Sequence, residues 1–371
     1  MTSVHPPFDV RIYHKECRSL ANAGYDVTLI APHTENENIN GIRIKAIPKY
    51  VNRYRRMLYG TLTVYGVART VNAELYHFHD PELIPVGLLL RMEGKRVLYD
   101  IHEDLPGTLS YKPYIHTWIR KPLEKLLDIG ERFASHFFSG LIVANPMGVY
   151  RFRKHTRLAL VQNFPLMEEF DVANTNPKPP LYENYVTYVG MRITRARGAE
   201  EIVRAIGLLP ERLGVRMKLV GNIEPPELLH TLSQMPGWEH TDYLGTLGRQ
   251  GVADVVRHAR AGLVLLHPEP NYVTSQPVKL YEYMGAGIPV IASDFPVLRS
   301  FVEEARCGIL VDPLNPRQIA DAIQYLWTHP QEAEEMGERG RQAIRTQYNW
   351  ANEEKELLRL YRQLCGSPLP A

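Results

Sequence analysis

The stretch that decides the fold is residues 275–294, which reads SQPVKLYEYMGAGIPVIASD. Apolar residues recur at helical spacing up to Met284, so the pattern predicts a short helix from Pro277 to about Gly285. The continuous apolar run from Ile288 to Ser293 is typical of a strand buried inside a parallel sheet. A helix followed at once by such a strand indicates an α/β fold.

Lys279 and Glu282 lie on one face of the predicted helix, because they are three positions apart. A lysine in the first turn, at the positive end of the helix dipole, favours a phosphate group. A carboxylate one turn later can accept hydrogen bonds from two adjacent hydroxyls, as a ribose presents. The pair therefore indicates a nucleoside diphosphate across the start of the helix. The alternative is a surface ion pair worth about 0.2–0.5 kcal/mol.

The composition is that of an ordinary globular protein with more than one domain. The chain has 371 residues, 44% hydrophobic and 23% charged, which favours two domains. A formal net charge of +2 gives no reason to expect a nucleic-acid partner. The three cysteines lie far apart, which is typical of reduced thiols in a cytoplasmic protein and disfavours a zinc site. No transmembrane run or signal peptide is predicted.

The first half of the chain predicts an α/β domain whose first strand is shortened or missing. A helix is expected over 9–23 and a strand over 27–31, with almost nothing before the helix. Polar residues follow the next two predicted strands, and these are expected to face a common cleft because ligands bind beyond the carboxyl ends of parallel strands. They are His79, Asp80, His102, Glu103 and Asp104. No metal-binding motif accompanies them, so no metal site is predicted.

Two segments mix basic and aromatic residues. Residues 40–73 contain seven Lys or Arg and no Asp or Glu, with tyrosines between them. A second cluster spans 111–121 and includes Trp118. Such segments fit either a solvated basic face or a contact with an anionic membrane surface, and both readings stay open.

The second half alternates strands and helices from 185 to 328, which predicts βαβ units and a parallel sheet. Residues 166–184 lack periodicity and form the predicted linker. We therefore expect domains over 1–165 and 185–349, with a closing helix in 350–371 that packs back on the first. The fold class is two Rossmann-like open parallel-sheet domains that face a central cleft.

The first strand of the second domain is followed by a cluster of cations. Gly190 permits a close backbone approach, and Arg192, Arg195 and Arg197 are expected to project into one region without balancing acids. Such arginines favour an anionic ligand over solvated loop residues. The sequence contains neither G-x-G-x-x-G nor a Walker A motif, which argues against a dehydrogenase or an NTPase.

Together these motifs resemble the retaining, nucleotide-sugar-dependent glycosyltransferases of family 4, which have the GT-B fold. The resemblance rests on His-Asp-Pro-Glu at 79–82, Asp-Ile-His-Glu at 100–103, Tyr188-Val-Gly190, Arg197-Gly198 and the block from Pro277 to Ser293. It implies that Arg192 and Arg197 hold the donor diphosphate, that Glu282 binds the ribose, and that Thr246 and Leu247 hold the base through backbone groups. It also implies that His102 contacts the donor sugar.

One departure concerns the Glu-x7-Glu signature of the family, whose first glutamate would fall at Thr274. Thr274, Ser275, or the nearby Glu269 and Asn271, would then contact the transferred sugar. The resemblance implies catalysis without a metal, in which Arg192, Arg197 and Lys279 stabilise the leaving diphosphate and His102 positions the sugar.

The expected function is transfer of a hexose from a nucleotide sugar, with UDP as the first choice, to a glycan or lipid-linked oligosaccharide. This would take place in cell-surface polysaccharide biosynthesis, in the cytoplasm or at the inner face of the plasma membrane. A nucleotide-sugar 2-epimerase of similar fold and a non-catalytic, transferase-like subunit remain as alternatives.

Overall fold

The protein consists of two units, and open sheets built from the apolar runs noted above form the core of each: two described sheets in one unit and one in the other. The structure is a computed structural model that describes residues 1–102, 116–167 and 183–366. One unit comprises Met1–Asn163 together with Trp350–Ala371, and the other comprises Phe164–Asn349. Most of the predicted linker, residues 168–182, lies outside the described residues.

The first unit has seven described strands. They are β1 (Thr28–Pro32), β2 (Glu37–Ile39), β3 (Ile42–Ile47), β4 (Leu75–Phe78), β5 (Arg96–Ile101), β6 (Gly140–Val143) and β7 (Leu158–Leu160). They form a three-stranded sheet in the order β1-β3-β2 and a four-stranded sheet in the order β4-β5-β6-β7. All neighbouring strands are parallel except the β2–β3 hairpin, which the sequence did not predict.

The helices of this unit follow the strands closely. Helix α1 is π-helical over Val10–Cys17 and α-helical over Arg18–Asn22, and α2 runs through Arg53–Arg55, Arg56–Gly60 and Thr61–Val71. The others are α3 (Ile84–Met92), α4 (Thr117–Ser135), α5 (Pro146–Arg151) and the C-terminal helix (Trp350–Cys365). Gly24, with φ 90°, follows α1 as predicted, because glycine adopts this conformation without strain.

Residues Met1–Ser3 occupy the place where the sequence predicted a shortened or missing strand. The Thr2 amide donates to the Ile30 carbonyl of β1 at 2.9 Å. On the other side, the Met1 amine donates to the His77 carbonyl of β4 at 2.6 Å. This short extended segment therefore connects the two sheets by backbone hydrogen bonds.

The polar contacts between the C-terminal helix and the rest of the first unit include the following three hydrogen bonds. The Trp350 indole donates to the Ser19 hydroxyl at 2.9 Å. The Gln162 amide donates to the Glu353 carboxylate at 2.7 Å. Further along the helix, the Tyr361 hydroxyl lies 2.9 Å from His77 Nδ1.

The second unit is a six-stranded parallel sheet in the order β10-β9-β8-β11-β12-β13. Its strands are β8 (Tyr185–Ile193), β9 (Arg216–Ile223), β10 (Thr241–Gly245), β11 (Ala261–Val264), β12 (Val290–Ser293) and β13 (Gly308–Val311). Its helices are α6 (Ala199–Gly207), α7 (Pro226–Ser233), α8 (Arg249–His258), α9 (Pro270–Val273), α10 (Val278–Ala286), α11 (Pro296–Ala305), α12 (Pro316–Thr328) and α13 (Pro330–Thr346). The predicted alternation is confirmed, whereas the short α9 and the 3-10 turns Arg195–Arg197, Glu211–Leu213 and Pro236–His240 were not predicted.

Helix α10 carries the stretch on which the fold prediction rested. It begins one residue after Pro277 and ends before Gly287, which has φ 75°. The predicted end at about Gly285 is thus met to within one residue. The buried face of α10 includes Leu280 and Met284, which pack into an apolar cluster with residues of β11 and β12. No described helix is long and apolar enough to cross a bilayer.

Candidate functional site

The strand order of the second unit has a topological switch point at β8, where the order of strands along the chain reverses. Strand β8 has β9 on one side and β11 on the other, so the segments that leave the carboxyl ends of β8 and β11 diverge there. In open α/β sheets, ligands bind at such a point. The segment 194–198 leaves β8, and the segment 265–277 leads from β11 to the first turn of α10.

Lys279 lies in the first turn of α10 and is only 7% exposed. Its Nζ lies 3.3 Å from the centroid of the Tyr188 ring, whose face attracts cations. Among the described residues, Nζ has no hydrogen-bond partner. Burial, and then the nearby Arg197 charge, hold the pKa of Lys279 well below its usual value, while Glu282 acts in the opposite direction. A buried ammonium without a partner is costly, so the site favours an anion.

Arg197 is the second cation of this site and ends the 3-10 turn Arg195–Arg197 after β8. Its guanidinium carbon lies 5.6 Å from the centroid of the Tyr272 ring on α9. Burial lowers the pKa of Arg197, but the phenols of Tyr188 and Tyr272 raise it on balance. Tyr188 therefore lies beside both cations, with its ring against Lys279 and its hydroxyl beside Arg197.

Two glycines beside this site permit close contacts that a Cβ atom would block. Strand β8 carries an irregularity between Val189 and Arg192. A Cβ at Gly190 would lie 3.3 Å from Lys279 Nζ, and a Cβ at Gly221 would lie 1.9 Å from the Gly190 carbonyl oxygen. Only glycine fits the second position, where φ is +140°. Gly190, predicted as a point of close approach, thus lies beside the predicted phosphate-binding lysine.

The prediction that three arginines share one region without balancing acids is wrong for two of them. Arg192 Nη1 lies 3.7 Å from Glu224, and Arg195 Nε lies 2.6 Å from Glu200. Both arginines are largely exposed. A 3-10 turn has three residues per turn, so side chains two positions apart, such as those of Arg195 and Arg197, point about 120° away from each other.

Three other residues of the second unit that were predicted to bind the donor lie on α10 and directly after α9. Glu282 is half-buried on α10, and its charge acts to raise the pKa of Lys279, which agrees with the prediction that the two side chains share one face of the helix. The Thr274 hydroxyl donates to the Pro270 carbonyl at 3.2 Å, and the Ser275 hydroxyl donates to the Tyr272 carbonyl at 3.0 Å.

Thr246 and Leu247 follow the edge strand β10, two strands away from β8. Thr246 is exposed, whereas the Leu247 side chain packs against the apolar cluster around α10. Their backbone groups thus lie at the same edge of the sheet as the carboxyl end of β8.

In the first unit, His102 follows β5 and its side chain is 15% exposed. Its Nε2 lies 3.4 Å from His5 Nε2. Glu103 and Asp104, predicted beside it, lie outside the described residues. His102 is thus a partly accessible histidine at a strand end.

His79 and Asp80 do not face a cleft as predicted, since both are 3% exposed. The Asp80 carboxylate accepts hydrogen bonds from the Thr2 hydroxyl at 2.8 Å and the Ser3 amide at 2.6 Å. The reason is that residues Met1–Ser3 cover this end of β4.

A buried ionic cluster, which we call the Arg11 cluster, lies beneath this strand end. Arg11 donates to both carboxylate oxygens of Asp100, with Nε at 2.8 Å and Nη2 at 2.9 Å. Glu16 Oε1 lies 3.1 Å from Arg11 Nε, and His79 Nδ1 lies 3.0 Å from Asp100. Sequence reasoning missed Glu16 and His77. Glu16 could have been found, because it falls on the inward face of α1 together with apolar residues.

Four side chains of this cluster offer ligand atoms within 4.8 Å of one another: Glu16, His77, His79 and Asp100. These four side chains fit a metal ion poorly, because the Arg11 guanidinium already lies between the carboxylates of Glu16 and Asp100. Burial and the charge of Asp100 raise the pKa of Glu16 well above its usual range. Burial raises the pKa of Asp100, but Arg11 and His79 outweigh it and hold that pKa well below its usual range. Burial also lowers the pKa of His79 to about 4, so this histidine is neutral at pH 7.

Comparison with protein families gives two matches that follow each other along the chain. The profile described as Glycosyltransferase Family 4 matches residues 10–159, and the one described as Glycosyl transferases group 1 matches residues 172–343. The chain belongs to glycosyltransferase family 4. The resemblance drawn from the motifs is confirmed at this level.

Curated relatives of this family 4 glycosyltransferase include D-inositol 3-phosphate glycosyltransferase of Corynebacterium urealyticum. It is 28% identical over 197 residues, which are 51% of this chain and 45% of the relative. Phosphatidyl-myo-inositol mannosyltransferase of Mycobacterium leprae is 29% identical over 303 residues, 79% of this chain and 74% of that protein. The match to the first of these relatives thus spans about half of its length.

Solved structures confirm the GT-B fold of this family 4 glycosyltransferase. Sucrose-phosphate synthase of Thermosynechococcus elongatus has a TM-score of 0.74 and 22% identity, covering 94% of this chain and 91% of that one. Anabaena HepE in complex with UDP-glucose has a TM-score of 0.63 and 14% identity, covering 87% of each chain. At these identities the likeness concerns the fold.

Proposed function

We propose that the protein transfers a hexose from a nucleoside diphosphate sugar to a glycan or lipid-linked oligosaccharide, with retention of the anomeric configuration. The observation that carries this proposal is the buried side-chain amine of Lys279, which has no hydrogen-bond partner among the described residues. A diphosphate would supply the missing negative charge. Arg197, beside the same tyrosine ring, adds a second cation for it.

We assign residues of the second unit to each part of the donor: the diphosphate, the ribose and the base. Lys279 and Arg197 hold the diphosphate, and Arg192 is a weaker candidate because it is exposed and lies near Glu224. Glu282, one turn after Lys279, accepts hydrogen bonds from the ribose hydroxyls. UDP is the first nucleotide to test, and the structure of HepE with UDP-glucose supports that choice. The backbone groups of Thr246 and Leu247 are proposed to hold the base.

Charge determines the proposed mechanism. The bond between C1 of the sugar and the diphosphate oxygen breaks, and negative charge develops on that phosphate. Lys279, Arg197 and the positive end of α10 stabilise this charge. The acceptor oxygen bonds to C1 on the same face, and its proton passes to the departing phosphate oxygen. His102 positions the sugar, and Thr274 or Ser275 contacts its hydroxyls.

No metal ion and no cofactor take part in this proposal. Two protein cations and a helix dipole supply the positive charge that a divalent ion would otherwise bring to the diphosphate. Donor binding is therefore expected to be insensitive to EDTA.

Exposed apolar residues of the first unit support contact with an anionic membrane. Around the start of α2, Val51 is 94% exposed and Tyr54 is 82% exposed, beside Arg53 and Arg55. Trp118, at the start of α4, is 76% exposed. Residues 111–115 of the second predicted cluster lie outside the described residues. A basic surface with exposed aromatic rings suits the membrane interface, where a lipid-linked acceptor resides.

Changing Glu282 to alanine is expected to weaken UDP binding by about 10- to 100-fold, which corresponds to loss of about 1.5–3 kcal/mol from hydrogen bonds to a charged group. Binding of inorganic pyrophosphate, which has no ribose, should be unchanged. Isothermal titration calorimetry measures both affinities.

Glu303→Ala, which removes an exposed carboxylate paired with Arg299 at 2.9 Å, is the control. It should leave both affinities as they are. An equal loss of UDP and pyrophosphate binding in Glu282→Ala would contradict the ribose assignment.

A further inference from the structure

A basic cavity of about 330 Å³ lies in the first unit, at the ends of α4 and α5. Four permanent cations, two histidines, a serine and two aromatic residues line it, and no carboxylate does. These residues are Arg132, Ser135, His136, Tyr150, Arg151, Phe152, Arg153, Lys154 and His155. A lining of this kind favours an anionic ligand.

Half of these permanent charges are balanced by carboxylates next to the cavity. Arg151 lies 2.7 Å from Asp128 and 2.6 Å from Glu131, and Arg132 lies 3.5 Å from Asp128. Arg153 and Lys154 are exposed, and within the described ranges neither has an ion pair. The Arg153 guanidinium instead lies 4.7 Å from the centroid of the Tyr150 ring. Two positive charges therefore remain for a ligand.

Helix dipoles explain only part of the cluster. Cations are stabilised in the last turn of a helix, which accounts for Arg132 near the end of α4 and Arg151 at the end of α5. These two already have carboxylate partners. Arg153 and Lys154 lie beyond the end of α5. Burial lowers the pKa of His155, so this side chain adds no charge at pH 7.

We infer that this cavity binds a phosphomonoester group. Such a group carries a charge of about −1.5 to −2 at pH 7, which matches Arg153 and Lys154, whereas a carboxylate would leave one of them unbalanced. Arginine also presents paired N–H groups that fit phosphate oxygens. The inference goes beyond the proposed donor site and does not depend on it.

The surroundings of the cavity indicate two sources for the phosphate. Phe133 and Phe137 are 67% and 49% exposed, and each follows a cavity residue on the chain. Exposed aromatic rings beside a phosphate site suit a lipid headgroup. A soluble phosphate ester would use the same cations without these rings.

The test compares wild type with Arg153→Glu/Lys154→Glu. Binding of glycerol 3-phosphate is measured by calorimetry, and binding to phosphatidylcholine vesicles with and without phosphatidic acid is measured by co-sedimentation. Wild type should bind at least one phosphomonoester probe, and the double variant should bind it at least ten-fold more weakly. Arg212→Glu/Lys355→Glu, the same charge change at two exposed positions outside the cavity lining, should behave as wild type.

Two results would overturn the inference: no binding of either probe by wild type, or an equal loss in both double variants. Arg153→Gln/Lys154→Gln, with a milder charge change, repeats the test if the glutamate variant melts early. Preference for phosphatidic acid vesicles identifies a lipid, and binding of glycerol 3-phosphate alone identifies a soluble ester. UDP binding should be unchanged in the cavity variants, so failure here is distinguishable from failure of the donor site.

Discussion

Replacing Lys279 with methionine is expected to weaken binding of a nucleoside diphosphate by about 10- to 100-fold. Methionine keeps most of the buried volume and the contact with the Tyr188 ring, but it removes the ammonium. A hydrogen bond to a charged group contributes about 1.5–3 kcal/mol, which sets the expected loss of affinity. Isothermal titration calorimetry with UDP measures it.

The same experiment has a second readout, which is proton uptake. In the free protein the pKa of Lys279 lies well below its usual value because of burial. A diphosphate beside the amine raises this pKa again, so binding takes up a proton at pH values between the two. Titrations in buffers of different ionisation enthalpy should show uptake in wild type and none in Lys279→Met.

Lys218 provides a matched control, since its Nζ lies 3.9 Å from the centroid of the Tyr185 ring. Unlike Lys279, it has a carboxylate partner, Glu183, at 3.1 Å. Lys218→Met should change neither UDP affinity nor proton uptake. If Lys279→Met binds UDP as tightly as wild type does, Lys279 does not hold the diphosphate.

Replacing Arg11 with methionine is expected to destabilise the first unit by about 3–5 kcal/mol, the usual result of removing one partner from a buried ion pair. Asp100 is fully buried, and Arg11 supplies two of its hydrogen bonds. Without Arg11, the carboxylate must either stay charged in an apolar environment or take up a proton. Hydrogen–deuterium exchange of β5 and β6 measures the stability of this unit.

The control for Arg11 is Arg43→Met, since Arg43 forms an exposed ion pair with Asp26 at 2.7 Å in the same unit. Exposed pairs contribute at most about 1 kcal/mol, so exchange of β5 and β6 should change little in this variant. Equal exchange in Arg11→Met and Arg43→Met would show that the Arg11 cluster does not stabilise the fold.

The second unit could be predicted from the sequence because its signals are local. Apolar runs and helical spacing located the strands and helices, and three-residue spacing placed Lys279 and Glu282 on one face of α10. The burial of Lys279 against Tyr188 could not be predicted, because that contact joins residues 91 positions apart.

Other features depended on contacts between distant segments. The Arg11 cluster joins α1 to the end of β5, and no local pattern links Glu16 to Asp100. Residues Met1–Ser3 cover the strand end at which His79 and Asp80 were predicted to face a cleft. Arg192 and Arg195 were predicted to lack balancing acids because only their spacing was known, whereas in the structure they lie beside Glu224 and Glu200.

The most direct test of the central claim is a calorimetric screen of UDP-, GDP- and ADP-sugars without added metal, repeated with EDTA. We expect micromolar binding to one nucleotide sugar, unaffected by EDTA, together with slow release of the nucleoside diphosphate. Absence of binding to all three classes by folded protein would contradict the claim that Lys279 and Arg197 form a nucleotide-sugar site.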